Sequence, residues 1–345
     1  MRSVHDIFRD DTPPFLIAEV GLGHDGSLGL AHSFVDAVAT TGADAIKFQT
    51  HIADAESSCE EKFRVPFSYQ DAGRFDYWKR TSFTLEQWIG LKKHAEDNGL
   101  VFLSSPFSVQ AVDLLDSIGV VAWKIASGEL DSRRMLERIA KTGKPVLAST
   151  GMCSMSEVDE LVNKLSILAP DRFSILQCTT EYPTPPEKVG INVFDEYAAR
   201  YKCPIGLSDH SGMLWPSIIA ASRGARVLEV HVTMSPYMFG PDVSSSLTVE
   251  KLTELKRALG FVDVMMKNAL AKDALAESKR DIKALFSKSA VTSRAFKAGE
   301  FIDDASVEFL KPGIGLNEAQ FDNLSGRPLA KDIPAKHFLK FEDFL

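Results

Sequence analysis

PIGLSDH at 204–210 and VLEVHVT at 227–233 are the last two of eight short apolar runs along this chain. Working back towards the N-terminus, the others are FSILQCT (173–179), PVLASTG (145–151), VAWKIASG (121–128), LVFLSSPF (100–107), DAIKFQT (44–50) and FLIAEVG (15–21). Each run ends in polar residues, and helix-like patterns lie between them, among them SLGLAHSFVDAVATTGA, TLEQWIGLKKHAEDNGL and SEVDELVNKLSILA. Strands that are apolar without alternation are buried on both faces, and strands that alternate with amphipathic helices form a parallel sheet. Eight such units over about 220 residues predict an α/β fold of the (β/α)₈ TIM-barrel type. An open, doubly wound sheet is the alternative; it would usually carry a G-x-G-x-x-G phosphate loop after its first strand, which GLGHDG at 21–26 is read as not matching.

The chain has 345 residues, which suits a barrel of about 250 residues plus an appendage. It is 45% hydrophobic and 25% charged, as ordinary globular proteins are, and its net charge of −8 argues against a general nucleic-acid surface. Cys59, Cys153, Cys178 and Cys203 form no C-x-x-C pair and read as reduced thiols of a cytoplasmic protein. The stretch MRSVHDIFRDD lacks the apolar core of a secretory signal. No run of about 18 apolar residues suggests a membrane span. Residues 250–285 read as one long helix followed by a charged connector. From 289 onward, AVTSRAFKAGEFIDDASVEFLKPGIGL and KDIPAKHFLKFEDFL read as short β segments. The expected organisation is therefore a barrel over 1–262, a linker over 263–288 and a β-rich module over 289–345. A module of about 55 residues is near the lower limit for independent stability, so it is expected to dock on something.

In a barrel of this type the chemistry sits at the C-terminal ends of the strands. Two successive strands deliver His210 and His231 there, 21 residues apart, the length of one β/α unit. Two imidazoles on one rim fit half of a site for a divalent metal with open positions, or two ordinary loop and capping histidines. Lys47 and Lys124 lie inside apolar runs, where an unpaired ammonium is costly. With Ser104, Ser105, Ser127, Ser149, Thr150 and Ser208 on the same rim they suggest an anion, most simply a phosphate. Structural pairs with interior carboxylates, or a Schiff-base lysine of an aldolase, are the other readings. Glu19 is a candidate for proton transfer or substrate positioning, or a salt-bridge partner of Lys47 or Lys124. Asp242 in the loop after the eighth run could contact a hydroxylated substrate or a metal-bound water, or simply make a turn. Asp209 could orient His210 or cap the next helix.

In order along the chain stand IAEVGLGHDGSL, GADAIKFQTHI, FLSSPFS, WKIASGEL, GKPVLASTGM, QCTTEYPTP, IGLSDHS, LEVHVTM and GPD. With these nine motifs the chain resembles the N-acetylneuraminate (sialic acid) synthase family over nearly its whole length. FKAGEFIDDASVEFLKPGIG resembles the antifreeze-like (SAF) domain that follows the barrel in that family. The resemblance implies a cytoplasmic transferase that condenses phosphoenolpyruvate with an open-chain N-acetylmannosamine-like aldose, giving a 3-deoxy-2-ulosonic acid and phosphate. It implies Mn²⁺ or Mg²⁺ held by His210 and His231, and phosphoenolpyruvate held by Lys47, Ser105, Lys124, Ser127, Ser149 and Ser208. Glu19, Thr180, Tyr182, Asp242 and Lys311 match positions near the acceptor sugar. It further implies a domain-swapped homodimer in which the SAF module reaches the partner's active site, with no nucleic-acid or membrane partner. Four positions depart from the family pattern: N-H-N-G reads Gly23-His24-Asp25-Gly26, an Asn is Thr180, an Arg is Lys311, and D-R before G-P-D reads Ser235-Pro236. They suggest unchanged chemistry on an altered acceptor, such as a legionaminic or pseudaminic acid precursor or an unacetylated or phosphorylated sugar. A related synthase making an octulosonate or heptulosonate phosphate, and a non-catalytic sugar-binding homologue, are the alternatives.

Overall fold

The structure, a computed structural model, describes residues 2–9, 11–63 and 66–345. The chain divides into two compact units, one ending at Lys267 and one spanning Asn268–Leu345.

In the first unit eight parallel strands are β1 (Phe15–Gly21), β2 (Ala45–Thr50), β3 (Val101–Pro106), β4 (Trp123–Ile125), β5 (Val146–Ser149), β6 (Phe173–Cys178), β7 (Ile205–Asp209) and β8 (Val227–Thr233). They pair in the order 3-2-1-8-7-6-5-4, and β3 and β4 lie side by side without a ladder, so the barrel is nearly closed. A short β9 (Ser246–Thr248) adds to β8 in parallel. The intervening helices start where the sequence places capping residues. Ser27 caps Leu28–Thr41, and Thr84 and Ser154 form capping boxes on Leu85–Asp97 and Met155–Leu168. The apolar faces of these helices and the outward side chains of the strands make the main core.

The barrel interior is layered, and the layering positions the site. Its lower layer is apolar: Ile17, Ala45, Leu103, Ala122, Leu147, Leu176 and Val227, sealed from below by Val4 and Ile7 of the 3₁₀ helix Val4–Phe8. β7 contributes Gly206 to this level, where a Cβ would lie 2.5 Å from Val227 Cγ1. Side chains in a strand alternate, so two residues further up each strand the next inward side chain appears. That step turns Ile17 into Glu19, Ala45 into Lys47, Leu103 into Ser105, Ala122 into Lys124, Leu147 into Ser149, and Val227 into Glu229.

Three expectations need correction. The run VAWKIASG yields only the three-residue β4, because Ser127–Glu129 turns into a 3₁₀ helix. The stretch 250–285, read as one long helix followed by a charged connector, is a helix over Val249–Lys267 and a connector that itself holds two short helices, Lys272–Ser278 and Arg280–Phe286. Neither short helix buries a residue, so nothing holds them to one axis. Finally, GLGHDG at 21–26 does have the glycine spacing of an open-sheet phosphate loop, but the near-closed strand order excludes that fold.

The second unit is built on an antiparallel pair, β10 (Ser289–Thr292) and β11 (Val307–Leu310), extended by isolated bridges such as Phe296 to Ile333 and Leu329 to Phe344. Ala290, Phe296, Ile302, Leu316, Phe321, Leu329, Ile333, Leu339 and Phe344 form its core. Beside that core lies a fully buried carboxylate, Asp343. It accepts from the Lys340 N–H at 2.8 Å, faces His337 Nε2 at 2.9 Å and pairs with Lys331 Nζ at 2.8 Å.

Candidate active site

The upper layer of the barrel encloses a cavity of about 130 Å³, and its charges are arranged around one carboxylate. Glu229 on β8 lies 3.2 Å from Lys124 Nζ and 3.8 Å from Lys47 Nζ, and it accepts from Ser208 Oγ at 3.0 Å. Lys47 also pairs closely with Glu19 and donates to Ser105 Oγ at 3.0 Å. Lys124 donates to Ser149 Oγ at 2.7 Å. Both ammoniums and both carboxylates are buried. Burial pushes Glu229 up, but Lys124 and Lys47 outweigh it and hold it at about 2. Glu19 moves the other way: its burial and the charge of Glu229 win over Lys47, and its pKa is raised. The two carboxylates of one layer are thus pushed apart in acidity, as acid and base partners must be.

At the upper rim His210 and His231 face each other with ring centroids 5.3 Å apart. Tyr182 stacks on His210 at 4.2 Å, and its hydroxyl lies 3.3 Å from His210 Nε2. His210 Nδ1 lies 2.9 Å from the Thr179 carbonyl, which fixes the proton on Nδ1 and leaves the lone pair on Nε2. Burial, and then His231, lower its pKa to about 3, so the ring is the neutral form that ligates metals. Among the described residues no three His, Cys, Asp or Glu side chains form a metal cage. Two imidazoles facing one cavity are a donor set that could hold a cation with its other positions left to oxygen ligands.

Glu19, Lys47, Ser105, Lys124, Ser127, Ser149, Thr180, Tyr182, Ser208, His210 and His231 all line this one cavity. Ser127 Oγ accepts from the Gly151 N–H at 2.9 Å. Asp242 is not in the lining, but its carboxylate and that of Glu19 flank the same Gly21. Lys311 belongs to the second unit, with its Nζ 5.2 Å from the Phe286 ring. Other rim residues point elsewhere: Ser104 bonds Thr50, Thr150 bonds the Leu176 carbonyl, Asp209 bonds Ser211, and Gln177 and Thr179 bond backbone carbonyls. Sequence reasoning missed Glu229 as the shared counter-ion, and missed Phe107, Met152 and Cys178 as lining residues. Asp25, read in the sequence as the loss of an amide, is committed to Arg80 Nη2 at 2.8 Å, and Arg80 in turn holds Asp71.

Residues 34–270 match the NeuB family. The chain belongs to the NeuB family. N,N'-diacetyllegionaminic acid synthase of Campylobacter jejuni is 30% identical to this NeuB-family chain, covering 92% of it and 96% of the relative. Human N-acetylneuraminate-9-phosphate synthase is 33% identical over 73% of this chain and 70% of its own length. Among solved structures, the N-acetylneuraminic acid synthetase of Leptospira borgpetersenii, determined with citrate, superposes with a TM-score of 0.69. It shows 27% identity and covers 79% of this chain and 92% of its own.

Proposed function

We propose that this NeuB-family protein is a phosphoenolpyruvate-dependent ulosonic acid synthase acting on an open-chain, N-acetylmannosamine-like aldose. One observation carries the reading: two buried lysine–serine pairs share a single carboxylate and open onto the same cavity as two facing histidines. A substrate with two anionic groups, a carboxylate and a phosphate, matches two such pairs. Lys47 with Ser105 and Lys124 with Ser149 would hold those two groups, with Ser127 and Ser208 beside them. The layer carries two ammoniums against an ionised Glu229 and a Glu19 raised towards its neutral form, which leaves charge for an incoming anion.

In the reaction, C3 of phosphoenolpyruvate bonds to the aldehyde carbon of the sugar. Water adds at C2, the C2–O bond to phosphate breaks, and the aldehyde oxygen becomes a hydroxyl. The products are a 3-deoxy-2-ulosonic acid and inorganic phosphate, and the proton balance needs one group to hold and move a proton. Glu19 is that group, because its raised pKa is the direction a proton-holding carboxylate requires. His210 and His231 would hold a divalent metal, Mn²⁺ or Mg²⁺, which when bound supplies Lewis-acid polarisation of the aldehyde. Tyr182 orients the His210 ring by stacking on it. The buried Thr180 Oγ1 has no partner among the described residues and is a donor for the acceptor sugar. The changes at Gly23, Asp25, Thr180, Lys311 and Ser235-Pro236 favour an acceptor other than plain N-acetylmannosamine. The second unit acts as an antifreeze-like SAF module, and the working assembly is a domain-swapped homodimer, which a size measurement in solution checks.

The test is phosphate release from phosphoenolpyruvate with Mn²⁺ across free and phosphorylated aldoses, alongside His210→Ala. Release that needs one sugar, the metal and His210 is the expected result. Tight phosphoenolpyruvate and metal binding without release on any sugar would favour the non-catalytic alternative.

A further inference from the structure

Behind Glu19 runs a chain of buried and half-buried side chains that the reaction above does not use. Gln49 Nε2 donates to Glu19 Oε1 at 2.9 Å. Gln49 Oε1 lies 3.2 Å from His51 Nε2, and His51 Nδ1 lies 2.5 Å from Glu56 Oε1. Glu56 Oε2 accepts from the Ile52 N–H at 3.2 Å, which fixes the carboxylate at the end of the short helix Ala53–Glu56. The imidazole lies between Trp78, at 3.8 Å and 6°, and Phe107, at 4.1 Å and 19°. Gln49 and Phe107 line the cavity, whereas His51 and Glu56 do not.

With Gln49 Nε2 turned to Glu19, the donors and acceptors of this chain close in one way. Both ring nitrogens of His51 face oxygens, a carboxylate and an amide carbonyl. A neutral imidazole has one N–H, so one of those contacts would set lone pair against lone pair. An imidazolium satisfies both. The ring environment agrees: neutral rings avoid a face-to-face sandwich, whereas a cation gains from aromatic faces above and below it. A neutral His51 would also turn the Gln49 amide over and present its carbonyl to Glu19.

We propose that His51 is a positioning residue, held as an imidazolium by Glu56, that locks the Gln49 amide with its NH₂ towards Glu19. The inference rests on the synthase reading only for its consequence in turnover. In the locked state the amide donates to Glu19 and favours its ionised form, against the burial that raises it. Several other charges surround the ring. His24 lies in the loop after β1 and is itself pushed to about 3, by burial first and by His51 second. Glu129 of the 127–129 turn interacts with Glu56, and Arg74 lies over Trp78 at 4.8 Å. With His24 neutral, the pocket carries one imidazolium.

The experiment is ¹⁵N imidazole NMR of the full chain at pH 7 without substrate, the His51 signal being identified by its loss in His51→Gln. Both His51 nitrogens in the protonated range is the expected result. One nitrogen in the unprotonated range overturns the proposal, whatever the protein catalyses. In Glu56→Gln one of the two ring nitrogens should leave the protonated range at pH 7. If the chain turns over phosphoenolpyruvate, that variant should lose about tenfold or more in kcat, with KM for phosphoenolpyruvate within about twofold and the loss growing with pH. An unchanged kcat and pH profile would refute the positioning role. If Glu56→Gln does not fold, the wild-type spectrum still decides the charge state. If no sugar supports turnover, the synthase reading fails while the spectrum stands on its own.

Discussion

Replacing Glu229 by Gln should make the barrel less stable and its hold on phosphoenolpyruvate tighter. Lys124 at 3.2 Å and Lys47 at 3.8 Å both depend on this one carboxylate, with Glu19 the second partner of Lys47 alone. Holding Glu229 at about 2 instead of its ordinary 4.5 corresponds to about 3 kcal/mol. The folded pKa is the lower one, so this stability is present above pH 4.5 and is lost as the pH falls through about 2. Removing one partner of a buried ion pair costs about 3–5 kcal/mol, because the other charge is left uncompensated. At about 2–4 °C per kcal/mol for a domain of this size, the melting temperature at pH 7 should fall by roughly 10 °C. The same substitution raises the charge of the layer by one, so an anionic substrate meets less competition. Calorimetric titration should show a lower Kd for phosphoenolpyruvate in Glu229→Gln, and saturating ligand should raise its melting temperature more than that of the wild type. Turnover should fall, because Lys124 and Lys47 lose the charge that aligns them. A melting temperature within about 2 °C of the wild type, with unchanged or weaker phosphoenolpyruvate binding, would refute the shared counter-ion.

Gly151→Ala should damage activity more than folding. A Cβ there would lie 2.5 Å from Thr180 Oγ1, 2.9 Å from Cys178 Sγ and 3.1 Å from Ser127 Oγ, all at the rim of the cavity. Overpacking of this kind costs about 1–3 kcal/mol in stability, while kcat/KM should drop at least about tenfold; equal activity would show that the rim yields. In the second unit, burial pushes Asp343 up, but Lys331, the Lys340 N–H and His337 outweigh it and hold it below its ordinary 3.8. The stability it contributes is present above pH 3.8 and is lost as the pH falls through the lower folded value. Asp343→Asn should therefore lower the unfolding free energy of that unit by about 1–3 kcal/mol at pH 7, measured by urea titration, and should flatten its acid dependence.

The barrel was legible because its signal is local: eight apolar runs and their capped helices each fit within about 20 residues. Much of the site was legible for the same reason, since the alternation of inward positions along a strand needs only parity. Parity also sorts the rim, and it was the step left unused. Ser105 and Ser149 share a face with the apolar residues two below them, Leu103 and Leu147, whereas Ser104 and Thr150 are one out of step and bond away from the cavity. What the sequence does not carry is distance across the barrel. Glu229 stood in view beside His231, yet its partners Lys47 and Lys124 come from strands far from it in the chain, and only closure of the sheet brings the three together. Asp25 shows the opposite error. Read along the chain it is a lost amide, but Arg80, 55 residues on, turns the change into an ion pair that pins the loop after β1. A substitution in such a site can be interpreted only with its new partner, and Asp25 has one while Thr180 Oγ1 has none among the described residues. Of the two, Thr180 is the position that, on the reading proposed above, offers a donor to a different acceptor.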